Sequence, residues 1–166
     1  MPKVIVNSTP LIVLCGIGHL EILKKLYQEI MIPIAVYQEV TAKGDSACRQ
    51  IQTAGEWIRV EKITDYAEKK MYKARLHDGE VEVMILAQEK NADLVILDDN
   101  AAKKTAKYLG LTVTGTLGVL LKAKKQGIIT EVHTLLSEMK LNGFYISKAV
   151  EQIVLEQAGE QKEDAK

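Results

Sequence analysis

The sequence has no excess of charge of either sign and few aromatic side chains. Lys and Arg together number 22, as do Asp and Glu, so the formal net charge is zero. This balance argues against a protein that coats DNA, although it permits a local basic patch. Aromatic residues make up 5% of the chain, with one Trp and one Phe. A platform for stacking nucleic-acid bases is therefore not evident.

Cysteines and long apolar runs are also scarce. The two cysteines, Cys15 and Cys48, have neither metal-ligand nor redox-pair spacing, so we expect free thiols in a reducing cytoplasm. The sequence contains no run of about 18 apolar residues, which a membrane span would need. The start, MPKVIVN, lacks the apolar segment of a signal peptide. We therefore expect a cytoplasmic protein without a membrane partner.

What the sequence does contain is a regular alternation of strand and helix patterns. Its 166 residues suit one domain, and 47% of them are hydrophobic, enough for a sizeable core. The consecutive β-branched residues of the first strand are typical of a strand covered on both faces. Helical patterns separate the strands, which predicts an α/β domain with a mostly parallel sheet and helices on both faces. The predicted strands are 3–7, 30–33, 57–63, 93–97 and 111–115.

Acidic and amide side chains follow several of these strands. Asn7 ends the first strand, and Asp98 and Asp99 directly follow DLVIL. Glu39 lies in the helix after IMIP, and Glu80 lies in the first turn of another helix. Ligands of parallel sheets bind beyond the carboxyl ends of the strands. Oxygen donors converging there predict a site for Mg²⁺ or Mn²⁺.

Each of these residues also has a purely structural interpretation. Asp98, Asp99 and Glu80 could cap helix N-termini or favour the helix dipole. Glu39 could be a solvated helix residue, and Asn7 could form a turn with its side chain bonded to nearby backbone. Taken alone, each signal is weak, and the prediction of a site depends on their common placement.

Several longer stretches resemble a PIN domain, and in particular a small prokaryotic PIN-like group. That group carries an N/D-S/T-S/T-P-L-I start, a GE-x-E helix and a DD-x-x-A-R/K segment followed by G-T-L-G. The resemblance covers roughly residues 3–147 and implies a three-layer α/β/α sandwich with a mostly parallel central sheet. It implies a PIN-like domain over 1–148, with a C-terminal helix and charged tail over 149–166. The matching stretches are VIVNSTPLIVL, IPIAVYQEV, LHDGEVEVMILAQE, LVILDDNAAKKTAKYLGLTVTGTLGVLLKAKKQGII and GFYIS.

The resemblance also implies a function and a set of site residues. The family's usual activity is Mg²⁺- or Mn²⁺-dependent hydrolysis of RNA phosphodiester bonds, frequently as the toxin of a toxin–antitoxin pair. Its site acids fall on Asn7, Glu39, Glu80 and either Asp98 or Asp99. The metal ligands would be Asn7, Glu80, Asp98 and Asp99. Most PIN nucleases have Asp where this chain has Asn7, and the neutral amide should weaken binding of a divalent ion.

The implied partners are RNA, an antitoxin protein and a second copy of the chain. Lys103, Lys104 and Lys107 follow the acidic pair on one helix and could bind RNA phosphates, although a solvated helix face is an equally good interpretation. The apolar stretch TPLIVLCGIGHLEILKKLYQEI exceeds what one helix face needs, which predicts a homodimer.

Two other functions are compatible with the sequence. The first is a non-catalytic PIN-like module that binds RNA or protein, with a metal site weakened at Asn7. The second, suggested by LVILDD, is a phosphotransfer receiver or a phosphohydrolase. Against the second, the strand that ends at Asn7 lacks the Asp-x-Asp pair that an aspartyl-phosphate phosphatase would need there.

Overall fold

Five parallel strands form one sheet in the computed structural model, which describes residues 2–42, 44–72 and 76–160. Neighbouring strands follow the order β3-β2-β1-β4-β5. All five strands lie where the sequence predicts them, each one slightly shorter or equal in length. Their bounds are β1 Val4–Val6, β2 Ile30–Pro33, β3 Ile58–Glu61, β4 Leu94–Ile96 and β5 Val113–Thr114.

Helices connect the strands and cover the sheet, which confirms the predicted three-layer α/β/α sandwich. α3 packs on α4 and α6, whereas α8 packs on α2, α9 and α10. The helices in the described part of the chain are α1 Ser8–Gly16, α2 Glu21–Tyr27, α3 Ile34–Thr41, α4 Ser46–Gln52, α5 Tyr66–Tyr72, α6 Asp78–Glu89, α7 Asn100–Tyr108, α8 Thr116–Lys125, α9 Val132–Leu141 and α10 Lys148–Gln157.

The first strand is the centre of the sheet. Val4, Ile5 and Val6 are all buried, as their β-branched run predicts for a strand with layers on both faces. β1 pairs with β2 on one side and with β4 on the other. The chain therefore moves outward from β1 in one direction through β2 and β3, and in the other through β4 and β5. In such sheets the ligand crevice lies where the strand order reverses, here between β1 and β4.

The apolar stretch that predicted a dimer is mostly buried within the chain itself. Leu11, Leu14, Ile22 and Leu23 belong to the core, and Ile12 is 44% exposed. The surplus of apolar residues in α1 and α2 is thus accounted for without a partner. The homodimer stays a prediction. Among the described residues, no helix is both long and apolar enough to cross a membrane.

The cysteines and the C-terminal segment can be described in part. Cys15 is a free, buried thiol, and burial, together with the negative charge of Asp45, raises its pKa to about 12. The side chain of Cys48 and residues 161–166 of the predicted tail lie outside what the structure describes.

Candidate active site

Asn7 lies at the carboxyl end of β1, immediately before α1. Its backbone is extended, with φ −82° and ψ 174°, and its N–H donates to the carbonyl oxygen of Ile96 at 2.9 Å. The residue is 5% exposed, and its side chain makes no capping hydrogen bond to α1. The turn-forming interpretation required such a bond to nearby backbone. The side-chain hydrogen bond that the turn-forming interpretation expects with α1 is therefore not made.

Glu39 and Asn7 border one small space above Gly79. Ser8 Oγ donates to Glu39 Oε1 at 2.8 Å, which ties α3 to the start of α1. A Cβ atom on Gly79 would lie 3.1 Å from Glu39 Oε1 and 3.6 Å from Asn7 Oδ1. The absence of a side chain at this position leaves room for both oxygens. The structure thus brings together two of the predicted site residues.

Glu80 follows Gly79 in the first turn of α6. It is 8% exposed, and its Oε1 accepts a hydrogen bond from the His77 N–H at 3.1 Å. Asp78 is the first helical residue, and His77 occupies the N-cap position. One oxygen of Glu80 therefore satisfies a backbone donor at the helix start, as its structural interpretation proposed. Its Oε2 is not used in that bond.

Asp98 and Asp99 are adjacent in sequence but have different environments. Asp98 Oδ1 accepts from the Thr116 N–H at 2.8 Å, and Asp98 Oδ2 accepts from Thr116 Oγ1 at 2.6 Å. Asp99 Oδ2 accepts from the Ala102 N–H at 2.8 Å and so caps α7. Asp99 has the helix-capping role that the sequence left open for both acids. Asp98 is fixed at the sheet edge, beyond the strand that neighbours β1.

Asn7 and Asp98 therefore lie on either side of the point where the strand order reverses. Asn7 follows β1, Asp98 follows β4, and Glu39 is positioned next to Asn7 from α3. In residues 2–42, 44–72 and 76–160, no three His, Cys, Asp or Glu side chains form a group that could hold a metal ion. Mg²⁺ and Mn²⁺, however, commonly use one or two protein carboxylates and complete their shells with water. The hard oxygen donors present fit an ion of that kind.

Two residues that the sequence did not single out hold this arrangement together. The first is Thr116, fully buried after β5, which fixes both oxygens of Asp98. Its position in G-T-L-G directly after a strand was the available signal. The second is Glu82, which the GE-x-E pattern contains but which the prediction passed over in favour of Glu80.

Glu82 connects α6 to the start of α3. Its Oε1 accepts from the Ala35 N–H at 3.0 Å, and its Oε2 accepts from Lys69 Nζ at 2.8 Å. The Ala35 N–H is one of the first-turn donors that have no partner inside the helix. The hydrogen bond with Glu82 raises the pKa of Lys69 above its ordinary value of 10.5, although burial acts in the opposite direction. Glu82 thereby fixes the helix that carries Glu39.

An open cleft gives access to this edge of the sheet. It has a volume of about 630 Å³. Glu39 and Gly79 contribute to its wall, and the exposed His77 lies on its rim. The carboxylate of Glu39 is therefore reached from solvent through this cleft.

Comparisons with known proteins agree with this architecture. A family model described as a PIN domain matches residues 3–160. A comparison with curated proteins gives no match. Among solved structures, the chain is similar to a PilT N-terminus domain protein from the hyperthermophilic archaeon Sulfolobus solfataricus P2, with a TM-score of 0.52 and 20% identity over 73% of this chain and 92% of that chain. This likeness supports the fold, and the family match over nearly the whole length shows that the chain belongs to the PIN domain family.

Proposed function

We propose that this protein is a metal-dependent ribonuclease that hydrolyses RNA phosphodiester bonds with Mg²⁺ or Mn²⁺. PIN domains are generally nucleases, and they typically use divalent metal ions. The observation that carries the proposal is Asn7, which is buried, makes no side-chain capping hydrogen bond to α1, and places Oδ1 beside Gly79 together with Glu39 Oε1.

The residues of the candidate site would have separate roles. Asn7 and one or two of the carboxylates of Glu39, Glu80 and Asp98 would hold the ion through oxygen atoms, with water completing its shell. When bound, a divalent ion lowers the pKa of water and offsets charge on the phosphate. Ser8 orients Glu39 through its 2.8 Å hydrogen bond, and Thr116 fixes the carboxylate of Asp98. The cleft beside Glu39 would admit the RNA strand.

The proposal predicts RNA cleavage that requires Mn²⁺ and Asp98. We expect Asp98→Asn to lower the cleavage rate by at least about 100-fold, since metal-assisted charge stabilisation contributes several kcal/mol. The asparagine keeps an oxygen that can accept from the Thr116 N–H, so the fold should survive. The measurement is cleavage of a fluorophore-labelled single-stranded RNA with Mn²⁺ and with chelator.

Asp99→Asn is the matched comparison. Asparagine caps helices about as well as aspartate, so this change preserves the cap of α7. We expect a loss of less than about threefold if Asp99 acts only as a cap, because capping differences of this kind are small. A large loss in Asp99→Asn with an unchanged Asp98→Asn would exchange the roles of the two acids. Metal-independent cleavage would contradict the proposal.

A non-catalytic module that binds RNA or protein is the second proposal, and two observations favour it. Asn7 is neutral, and the described residues contain no group of three potential metal-binding acids. A titration with Mn²⁺ separates the two proposals, because a ligand that binds the folded state raises its melting temperature. A clear rise supports the ribonuclease, whereas no change supports the binding module.

A role as the toxin of a toxin–antitoxin pair is a narrower part of the first proposal. It requires RNA cleavage and a protein that blocks it. A neighbouring gene for a small protein with a DNA-binding N-terminus would support this role. Co-expression with that protein should then relieve growth arrest caused by the chain alone.

A further inference from the structure

Lys103 places a positive charge beside the carboxylate of Asp98. It lies in the first turns of α7, and its side chain is half-buried. A Cβ atom on Gly115 would lie 2.7 Å from Asp98 Oδ1 and 2.8 Å from Lys103 Nζ. Both atoms therefore border the space that a side chain at Gly115 would fill.

The glycine at this position is explained by space and not by backbone conformation. Gly115 has φ −115° and ψ −174°, which any residue can adopt. A Cβ atom closer than 3.0 Å to its neighbours would force one of them to move. Asp98 is fixed by its two hydrogen bonds to Thr116, so the flexible end of Lys103 would move first. Gly115 thus keeps a place for the ammonium group next to the acid.

The ammonium group is not needed to satisfy Asp98. Both carboxylate oxygens already accept hydrogen bonds from Thr116. Lys103 Nζ donates no hydrogen bond to any residue within the described ranges. Lys104, the next residue, faces elsewhere and lines a groove with Met71 and Tyr108. Of the lysines on α7, Lys103 is the one that reaches the sheet edge beside Asp98.

We propose that Lys103 binds a non-bridging oxygen of the RNA phosphate that lies at this site, an inference that rests on the proposed ribonuclease function. The carboxylate of Asp98 repels a phosphate unless a cation offsets its charge. An ammonium group is a compact cation with three hydrogen-bond donors, suited to phosphate oxygens. Its position beside Asp98 places it where the phosphate would meet the acidic edge.

The test measures RNA binding in the absence of any divalent ion. Binding of a labelled single-stranded RNA is followed at several salt concentrations with chelator present. We expect Lys103→Met to weaken binding by about fivefold and to reduce the slope of log affinity against log salt by about 0.7, the value for one phosphate contact on a single strand. Lys103→Arg should restore most of the affinity. The control, Lys104→Met, removes the same charge and should change affinity by less than about twofold.

A second readout separates phosphate binding from simple neutralisation of Asp98. Calorimetry should show that Lys103→Met binds Mn²⁺ as tightly as the native chain or more tightly, because a nearby positive charge is removed. Weaker RNA binding combined with undiminished Mn²⁺ binding supports the proposal. Gly115→Ala should reproduce the RNA defect with the lysine still present, since the added Cβ displaces its end.

The outcomes also distinguish this inference from the proposed function. Equal RNA affinity in Lys103→Met and the native chain, including no measurable binding by either, overturns the role of Lys103. A native chain that binds RNA through Lys103 but does not cleave it with Mn²⁺ overturns the ribonuclease and leaves the phosphate contact standing. A fall in melting temperature with unchanged RNA affinity would make Lys103 a structural partner of Asp98.

Discussion

Asn7 differs from an aspartate by one charge and not by shape. Its Oδ1 has a place beside Glu39 Oε1, above Gly79, that a carboxylate oxygen could equally occupy. An amide oxygen can bind a divalent ion or its water, but it contributes less Coulomb energy than a carboxylate. In the free protein, the amide also avoids repulsion with Glu39. We therefore expect the asparagine to lower metal affinity and to stabilise the metal-free state.

Asn7→Asp should raise metal affinity and lower the stability of the metal-free protein. We expect Mn²⁺ binding to tighten by about tenfold, since an added carboxylate next to a dication contributes about 1 to 2 kcal/mol in a partly screened site. The metal-free melting temperature should fall, because the introduced carboxylate would repel Glu39. Calorimetry with Mn²⁺ and a thermal melt with chelator measure the two effects.

A chemically identical change elsewhere controls for the added charge. Asn91 is exposed and has φ 52°, a conformation that Asp also tolerates. Asn91→Asp should leave Mn²⁺ affinity unchanged. If Asn7→Asp binds Mn²⁺ no better than the native chain while Asp98→Asn binds it much more weakly, then Asn7 lies outside the metal shell.

The candidate site residues were predicted from distinctive sequence neighbours, whereas the residues that the sequence did not single out have distant partners. Asn7 and Asp98 directly follow apolar strands, which is visible in the sequence. Thr116 fixes the carboxylate of Asp98, which lies 18 positions earlier in the sequence. Glu82 accepts a hydrogen bond from the N–H of Ala35, which lies 47 positions earlier in the sequence. Only the fold brings these partners together, so sequence spacing gave no reason to choose them.

At the scale of elements, strand patterns predicted the strands but not their order. Runs such as Val4–Val6 and Leu94–Ile96 have the composition of buried strands, and both are strands. Hydrophobic patterning says nothing about which strand lies beside which. The pairing of β1 with both β2 and β4 defines the crevice, and it became known only from the structure.

The link between α6 and α3 yields a prediction at this scale. Glu82→Leu removes the acceptor for the Ala35 N–H and leaves Lys69 without its partner. We expect the free energy of unfolding to fall by about 1 to 3 kcal/mol, the usual effect of a buried donor left unsatisfied. Mn²⁺ affinity should also fall, because α3 carries Glu39. Glu82→Gln, which keeps an acceptor for Ala35, should have a smaller effect on both.

Glu89 in the same helix provides the control. Its carboxylate accepts from the N–H groups of Thr64 and Asp65, away from α3. Glu89→Leu should therefore lower stability and leave Mn²⁺ affinity unchanged. If Glu82→Leu behaves in the same way, with stability reduced and metal binding intact, then Glu82 supports the fold without positioning Glu39. Urea unfolding and calorimetry provide both measurements.

At the scale of the whole molecule, the last described residue, Glu160, bonds to α8 and to the start of α9. Glu160 belongs to a segment whose composition predicted a charged tail. Its carboxylate accepts from the N–H groups of Val132 and His133, at the start of α9, and from Lys124 Nζ at 2.7 Å on α8. Composition alone could not reveal this contact, because an isolated acidic residue looks the same in a tail and at a helix end.

Glu160 should make stability depend on pH. Burial acts to raise its pKa, but the hydrogen bonds from Lys124, Val132 and His133 outweigh burial and lower the pKa below the ordinary value of 4.5. The folded state therefore favours the ionised carboxylate. Its contribution is complete above the pKa of the unfolded chain and is lost as the pH falls through the lower pKa of the folded state.

Glu160→Gln tests this anchor. At pH 7 we expect the free energy of unfolding to fall by about 1 to 3 kcal/mol, as for hydrogen bonds to a buried charged group. The difference from the native chain should shrink as the pH is lowered from about 5 toward 3, because the native carboxylate then becomes protonated. Glu131→Gln is the control, since Glu131 is exposed at the same end of α9 and makes no capping hydrogen bond. Urea unfolding across this pH range measures the difference in free energy of unfolding between Glu160→Gln and the native chain. A difference that stays constant down to about pH 3 would show that the ionised form of Glu160 does not stabilise its contact with α8 and α9.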